Sequence, residues 1–169
     1  DGTLVRDEGY THRVEDYELL DGVVDGLRAL AHGGYRLAIV TNQSGIGRGY
    51  FGERDFERFQ RYLGSDLARF GVTIEASFHC PHRPDAGCGC RKPAPGLLER
   101  ARRALGADLS RSWMVGDSPS DVAVAGAGGL RGAVLVRTGF GEQAASRVAA
   151  GTEIADDLRD AARRILALG

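Results

Sequence analysis

Short apolar runs recur along this chain, and helical patterns separate them. The runs are RLAIVT (Arg36–Thr41), EASFHC (Glu75–Cys80), SWMVGD (Ser112–Asp117) and GAVLVRT (Gly132–Thr138). Each reads as a strand buried on both faces. Between them, VVDGLRALAHGG begins at Val23 and stops at the Gly33–Gly34 pair, a helix-stop signal. A longer pattern covers Glu53–Gly71, with Phe56, Phe59, Tyr62 or Leu63, Leu67 and Phe70 at helical spacing. Further helices are predicted from Pro95, a good first-turn proline, directly after Asp117, and from Asp156. Strands alternating with helices predict an α/β fold: a Rossmann-like parallel sheet with helices on both faces. The tract AGAGGLRG reads as tight helix-to-strand packing, and no linker or repeat divides the chain.

A chain of 169 residues is long enough for one domain with a real core. With 43% hydrophobic and 27% charged residues it is globular, which excludes a disordered chain. A net charge of -1 excludes a broad basic field for nucleic acid. No apolar run reaches membrane-spanning length, and no signal peptide is visible. The expectation is a soluble, cytoplasmic, monomeric protein whose partner is a small molecule.

In a parallel sheet, ligands bind beyond the carboxyl ends of the strands. The residues there are Thr41, Asn42, Gln43 and Ser44 after one strand, and Gly116, Asp117, Ser118 and Asp121 after another. Lys92 follows the loop that leaves a third. Either stretch alone reads equally well as a turn with a capped helix start. Together, a hydroxyl, a lysine and an acid point to a phosphate and a divalent metal. Asp117, a hard oxygen ligand, suits Mg²⁺. Lys92 suits the negative charge of a phosphoryl group, and Thr41 and the Asn42 amide suit its oxygens.

The loop CPHRPDAGCGC carries the most specific local signal. Cys80-X-His82 and Cys88-X-Cys90 form two knuckles five residues apart, and together they supply a complete tetrahedral Zn²⁺ site. A disulfide would leave one of the three cysteines unpaired. Four protein ligands close the site, so it is structural. His79 is a rival imidazole, but its position next to Cys80 makes joint coordination awkward. His12 and His32 read as surface or substrate-side residues.

DGT at the start, then VTN, RKP and GDSPSD, resemble in order the four motifs of the haloacid dehalogenase superfamily of phosphohydrolases. The resemblance runs from Asp1 to about Gly141. TNQSGIGRGYF, CPHRPDAGCGCRKPAPG and VLVRTGFG narrow it to the heptose bisphosphate phosphatases, whose Cys/His loop is shared by the histidinol-phosphate phosphatases. It implies a Mg²⁺-dependent phosphatase acting on a sugar phosphate. A histidinol-phosphate phosphatase, or a zinc-stabilised binding domain without activity, are the alternatives.

In that family the first motif reads Asp-X-Asp-Gly-Thr. The resemblance therefore places the nucleophilic aspartate two residues before Asp1. It should stand on a central strand between the Arg36–Thr41 and Ser112–Asp117 strands, giving the expectation of a gap there. Asp1 would be the general acid and base, with its backbone carbonyl as a second Mg²⁺ ligand. Asp121 has three open roles: holding a metal-bound water, holding Lys92, or favouring its helix N-terminus. Asp7, Glu8, Gly9 and Tyr10, with Thr41, Asn42, Gln43 and Ser44, would face the substrate. So would Ser118, where relatives often carry lysine. The intervals from Asp1 to Thr41 and from Thr41 to Lys92 leave no room for a cap domain. Arg48, Arg83, Arg91 and Arg13 are cations available on an open rim. Arg91 is the best placed for a second phosphate, because it adjoins Lys92.

Overall fold

A computed structural model describes residues 1–169. Five strands form: β1 (Ala38–Asn42), β2 (Ala76–Cys80), β3 (Trp113–Gly116), β4 (Gly132–Val136) and β5 (Glu153–Ala155). Seven α-helices accompany them: α1 (Val23–His32), α2 (Ser44–Gly47), α3 (Glu53–Arg69), α4 (Gly96–Leu105), α5 (Pro119–Gly128), α6 (Gly141–Ala144) and α7 (Leu158–Leu168). The expected alternation is present, and every ladder between these strands is parallel. Strand β5 was not expected. Its three residues, one of them Glu153, are too few to show a period.

The strands form two separate ladders, β1 with β2 and β3 with β4 and β5. Strands β1 and β3 share no ladder. Their neighbours differ in burial accordingly. Val134, Leu135 and Val136 of β4 are fully buried. Most of β1, β2 and β3 is only half-buried, which corrects the expectation of strands enclosed on both faces. A strand with one ladder neighbour leaves its other edge, and the side chains beside it, open to solvent.

Helices cover both faces. On one, α1 and α7 pack through Val23, Leu27 and Leu30 against Leu158, Ala161, Ala162 and Ile165. Gly26 permits the close approach: a Cβ there would stand 2.5 Å from the Leu158 carbonyl oxygen. Phe59, Leu63 and Leu67 of α3 join the same core, each aliphatic side chain contributing roughly 1.5–3 kcal/mol on burial. Tyr62 and Phe70 are exposed instead. The buried stripe runs Phe56, Phe59, Leu63, Leu67, and Phe70 lies past the last helical residue. On the other face, Leu98, Met114, Val124 and Ala125 form a smaller cluster. A Cβ at Gly128 would lie 2.4 Å from Leu98 Cδ1 of α4, so the glycine-rich tract packs helix against helix there, not helix against strand as expected, and a Cβ at Gly126 or Gly129 would meet nothing.

Between Asp1 and β1 lie one 3-10 turn and α1, and between β1 and Lys92 lie α2, α3 and β2. No cap domain is inserted at either place. Residues Leu4–Arg6 pair antiparallel with Glu18–Leu20, so the segment between them is a hairpin-like excursion beside the strand ends.

Candidate active site and metal-binding loop

The parallel register of β1 and β2 brings their carboxyl ends together, and Lys92, bonded to Val40 of β1 and to Asp121 after β3, joins the end of β3 to them. Asn42 clamps the chain after the Cys/His loop. Its Oδ1 accepts from the Lys92 backbone N–H at 3.0 Å, and its Nδ2 donates to the Lys92 carbonyl at 3.2 Å. The Asn42 side chain therefore fixes Lys92. Lys92 Nζ donates to the Val40 carbonyl at 2.7 Å and pairs with Asp121 Oδ1 at 2.6 Å.

Asp121 thus takes two of its three open roles. Its Oδ1 holds Lys92, and its Oδ2 accepts from the Ser118 N–H at 3.1 Å and the Ser118 hydroxyl at 2.8 Å. This is a capping box at the start of α5. The Ser118 hydroxyl is engaged inside the cap, with Asp121 and Ser120.

Asp1 is tied to β1 through Gln43, whose Nε2 donates to Asp1 Oδ2 at 2.8 Å and to Thr41 Oγ1 at 3.1 Å. Asp117 sits beside Gly2, only 7% exposed. Its Oδ1 accepts from the Thr3 hydroxyl at 3.3 Å, and its Oδ2 from the Phe140 N–H at 2.9 Å. Gly2 has φ +69°, and a Cβ there would fall 2.1 Å from Asp117 Oδ2, so only glycine fits. A Cβ at Gly139 would fall 2.3 Å from the same oxygen. Burial pushes the Asp117 carboxyl above its usual range, and the Asp121 charge adds to this, against the Phe140 N–H. A desolvated carboxylate with a second acid nearby is a hard-oxygen site that a divalent cation would stabilise. The Asp117 carboxylate therefore has the donor chemistry that suits Mg²⁺. Thr3, Thr138 and the Phe140 N–H were not singled out in the sequence. The GFG turn after β4 was the available signal.

Asp7 to Tyr10 form a loop closed on itself. Asp7 Oδ1 accepts from the Gly9 N–H, the Thr11 N–H and the Thr11 hydroxyl at 3.0–3.3 Å. Tyr10, with φ 62°, sets its ring edge-on to Tyr50 at 4.9 Å, and His12 stacks on Phe51 at 4.4 Å. Tyr50 and Phe51 thus anchor this loop to the segment after α2. Beyond it lies a cleft of about 470 Å³ lined by Arg13, Tyr50 and Arg58 among others, but by none of Asp1, Thr41, Lys92 or Asp117. The Glu8 backbone N–H donates to Thr11 Oγ1 at 3.4 Å, and neither the Glu8 nor the Ser44 side chain is hydrogen-bonded to Asp1, Thr41, Lys92 or Asp117. Arg83 pairs with Asp85 at the exposed surface, and Arg48 is exposed. Arg91 differs: its Nη1 is buried with no partner.

The four knuckle residues converge. Their ligand atoms all lie within 4.8 Å of one another. Cys90 Sγ is 3.2 Å from Cys80 Sγ, 3.2 Å from His82 Nδ1 and 3.6 Å from Cys88 Sγ. Cys80 Sγ is 3.6 Å from Cys88 Sγ and 3.5 Å from His82 Nδ1. Zn–S bonds of about 2.3 Å in a tetrahedron give edges of roughly 3.7 Å, so the set fits zinc. Sulfurs this far apart form no disulfide. His79 is turned away, its Nε2 2.7 Å from Glu53 Oε2.

A model of the Hydrolase_like family, described as HAD-hyrolase-like, matches residues 89–161. The chain is similar to the D-glycero-beta-D-manno-heptose-1,7-bisphosphate 7-phosphatase of Salmonella typhi, 43% identical over 146 residues, which span 82% of this chain and 78% of that protein. The protein of the same name from Photorhabdus laumondii is 42% identical with the same shares. The crystal structure of D,D-heptose 1.7-bisphosphate phosphatase from B. bronchiseptica, complexed with magnesium and phosphate, superposes with TM-score 0.91 and 31% identity. The match covers 100% of this chain and 96% of that one. No helix of this chain is long and apolar enough to cross a membrane. With such identity over most of its length, the chain belongs to the D-glycero-beta-D-manno-heptose-1,7-bisphosphate 7-phosphatase family of HAD-like hydrolases.

Proposed function

We propose that this chain is the body of a Mg²⁺-dependent phosphatase that removes the 7-phosphate of D-glycero-D-manno-heptose 1,7-bisphosphate. The observation that carries this reading is the hydrogen-bond and ion-pair network that joins Asp1, Thr41 and Lys92 at the end of β1 to Asp117 and Asp121 after β3. The attacking carboxylate belongs on a strand between β1 and β3, forming an aspartyl-phosphate. The unladdered edges of β1 and β3 support this placement. The whole chain then acts as one domain.

Asp117 and the Asp1 carbonyl would hold Mg²⁺, which supplies charge neutralisation at the phosphoryl group. Lys92, held between Val40 and Asp121, adds a fixed positive charge beside the transferring group. The Thr41 hydroxyl donates to a phosphoryl oxygen. Asp1 protonates the leaving alcohol and then takes a proton from the water that opens the aspartyl-phosphate. Arg91 presents a buried, unpartnered guanidinium N–H, suited to the substrate's second phosphate. Asp7 to Tyr10, with Ser44, form the rim for the sugar. The Cys80, His82, Cys88 and Cys90 cluster holds Zn²⁺ and stiffens the loop that ends in Arg91 and Lys92.

The test is phosphate release by protein extended upstream of Asp1, from the heptose bisphosphate and from histidinol phosphate, with and without Mg²⁺. Preference for histidinol phosphate would transfer the reading to the sister activity. Hydrolysis of neither would leave a binding domain.

A further inference from the structure

Gln43 is buried, only 5% exposed. Its backbone N–H donates to the Cys80 carbonyl at 2.8 Å, which pins it to the end of β2. Its side-chain nitrogen lies between Asp1 Oδ2, at 2.8 Å, and Thr41 Oγ1, at 3.1 Å. An amide oxygen in that place would face a carboxylate, so the nitrogen is the atom that belongs there. Both of its N–H groups are thereby used on the two side chains nearest the chemistry.

We propose that Gln43 is a positioning residue that sets the hydrogen-bond polarity of Asp1 and Thr41. This rests on the phosphatase reading above. A protonated carboxyl has one hydroxyl oxygen and one carbonyl oxygen, and an N–H donor can face only the second. Donation to Oδ2 therefore leaves the proton on Oδ1, the oxygen free to face the leaving group. Likewise, a threonine hydroxyl that accepts from Gln43 keeps its single O–H for a phosphoryl oxygen. In the transfer step the bond from phosphorus to the leaving oxygen breaks, its electron pair takes the proton from Oδ1, and the phosphoryl group passes to the attacking carboxylate.

A leaving-group comparison tests this. An alkyl leaving group needs the proton, whereas p-nitrophenolate leaves with little help. In the full-length protein, kcat/KM is measured for the sugar bisphosphate and for p-nitrophenyl phosphate. For Gln43→Leu, the alkyl-to-aryl ratio of kcat/KM should fall about tenfold or more, within the range that general acid catalysis supplies, and KM for the bisphosphate should change less than about threefold. Gln43→Met, unbranched and of similar length, should do the same and stands in if leucine is not accommodated. An equal loss on both substrates would mean a structural role and overturn the proposal. So would a raised KM with kcat retained, which marks a substrate contact. A wild-type protein that hydrolyses neither compound would overturn the phosphatase reading itself, and this inference with it.

Discussion

Lys92 and Asp121 form a buried ion pair that joins the chain after the Cys/His loop to the first turn of α5. Nζ and Oδ1 are 2.6 Å apart, and the side chains are 9% and 7% exposed. Breaking such a pair leaves one charge desolvated and alone, at a cost of about 3–5 kcal/mol. Asp121→Ala should lose that much stability in urea unfolding, more than an ordinary cap loss of about 1 kcal/mol. Lys92→Met combined with Asp121→Leu should cost clearly less than the sum of the single changes. Additive losses would mean that the pair is not coupled. The double variant should be inactive despite its stability.

The Cys/His loop leads at both ends into the site. Cys80 accepts from the Gln43 N–H, and Lys92 follows Cys90 by two residues and is clamped by Asn42. Cys88→Ser should remove the zinc, as read by elemental analysis, and expose residues 81–91 to proteolysis. A loss of about 2 kcal/mol would lower Tm by roughly 4–8 °C for a chain of this size. Protein prepared with zinc supplied and containing none would contradict the tetrahedral reading of the cluster.

The charge of the Asp117 carboxylate works against the metal-free fold. Burial and the neighbouring Asp121 disfavour its charge. Asp117→Asn should leave the metal-free protein at least as stable as the wild type, since an amide can still meet Thr3 and the Phe140 N–H. Adding Mg²⁺ should raise Tm for the wild type and not for the variant. Thermal unfolding with and without Mg²⁺ reads both. A variant that still responds to Mg²⁺ would place the metal elsewhere.

Arg91 has a buried Nη1 without a partner. Arg91→Ala should raise KM for the bisphosphate about tenfold or more, with much less effect on a monophosphate lacking the second charge. Steady-state kinetics on both substrates decides it. Equal harm to the two would assign Arg91 to the transferring phosphoryl group.

Much of this was legible in the sequence because the chemistry sits at strand ends, and strand ends follow apolar runs. Thr41, Lys92 and Asp117 were placed that way, and the two knuckles by their spacing together with the family resemblance. What was not legible depends on distant contacts. Nothing local says that Asn42 grips the backbone of Lys92, that Gln43 reaches Asp1, or that the Phe140 N–H meets Asp117. Asp121 kept three readings until Lys92 was found beside it. Strand β5 escaped because three residues carry no period. The partial exposure of β1 and β3 escaped because an apolar run records what a strand buries among all its neighbours, and each of these has one ladder partner.

The central claim is that these strand ends serve removal of the 7-phosphate from a heptose bisphosphate, with the attacking carboxylate on a strand between β1 and β3. The most direct measurement is ³¹P NMR of D-glycero-D-manno-heptose 1,7-bisphosphate incubated with Mg²⁺ and with protein extended upstream of Asp1. Residues 1–169 alone serve as the comparison. The expected result is loss of the 7-phosphate signal with the 1-phosphate retained, in the extended protein only, and no reaction when Mg²⁺ is chelated. Release of the 1-phosphate, turnover without Mg²⁺, or equal turnover by residues 1–169 alone would contradict it.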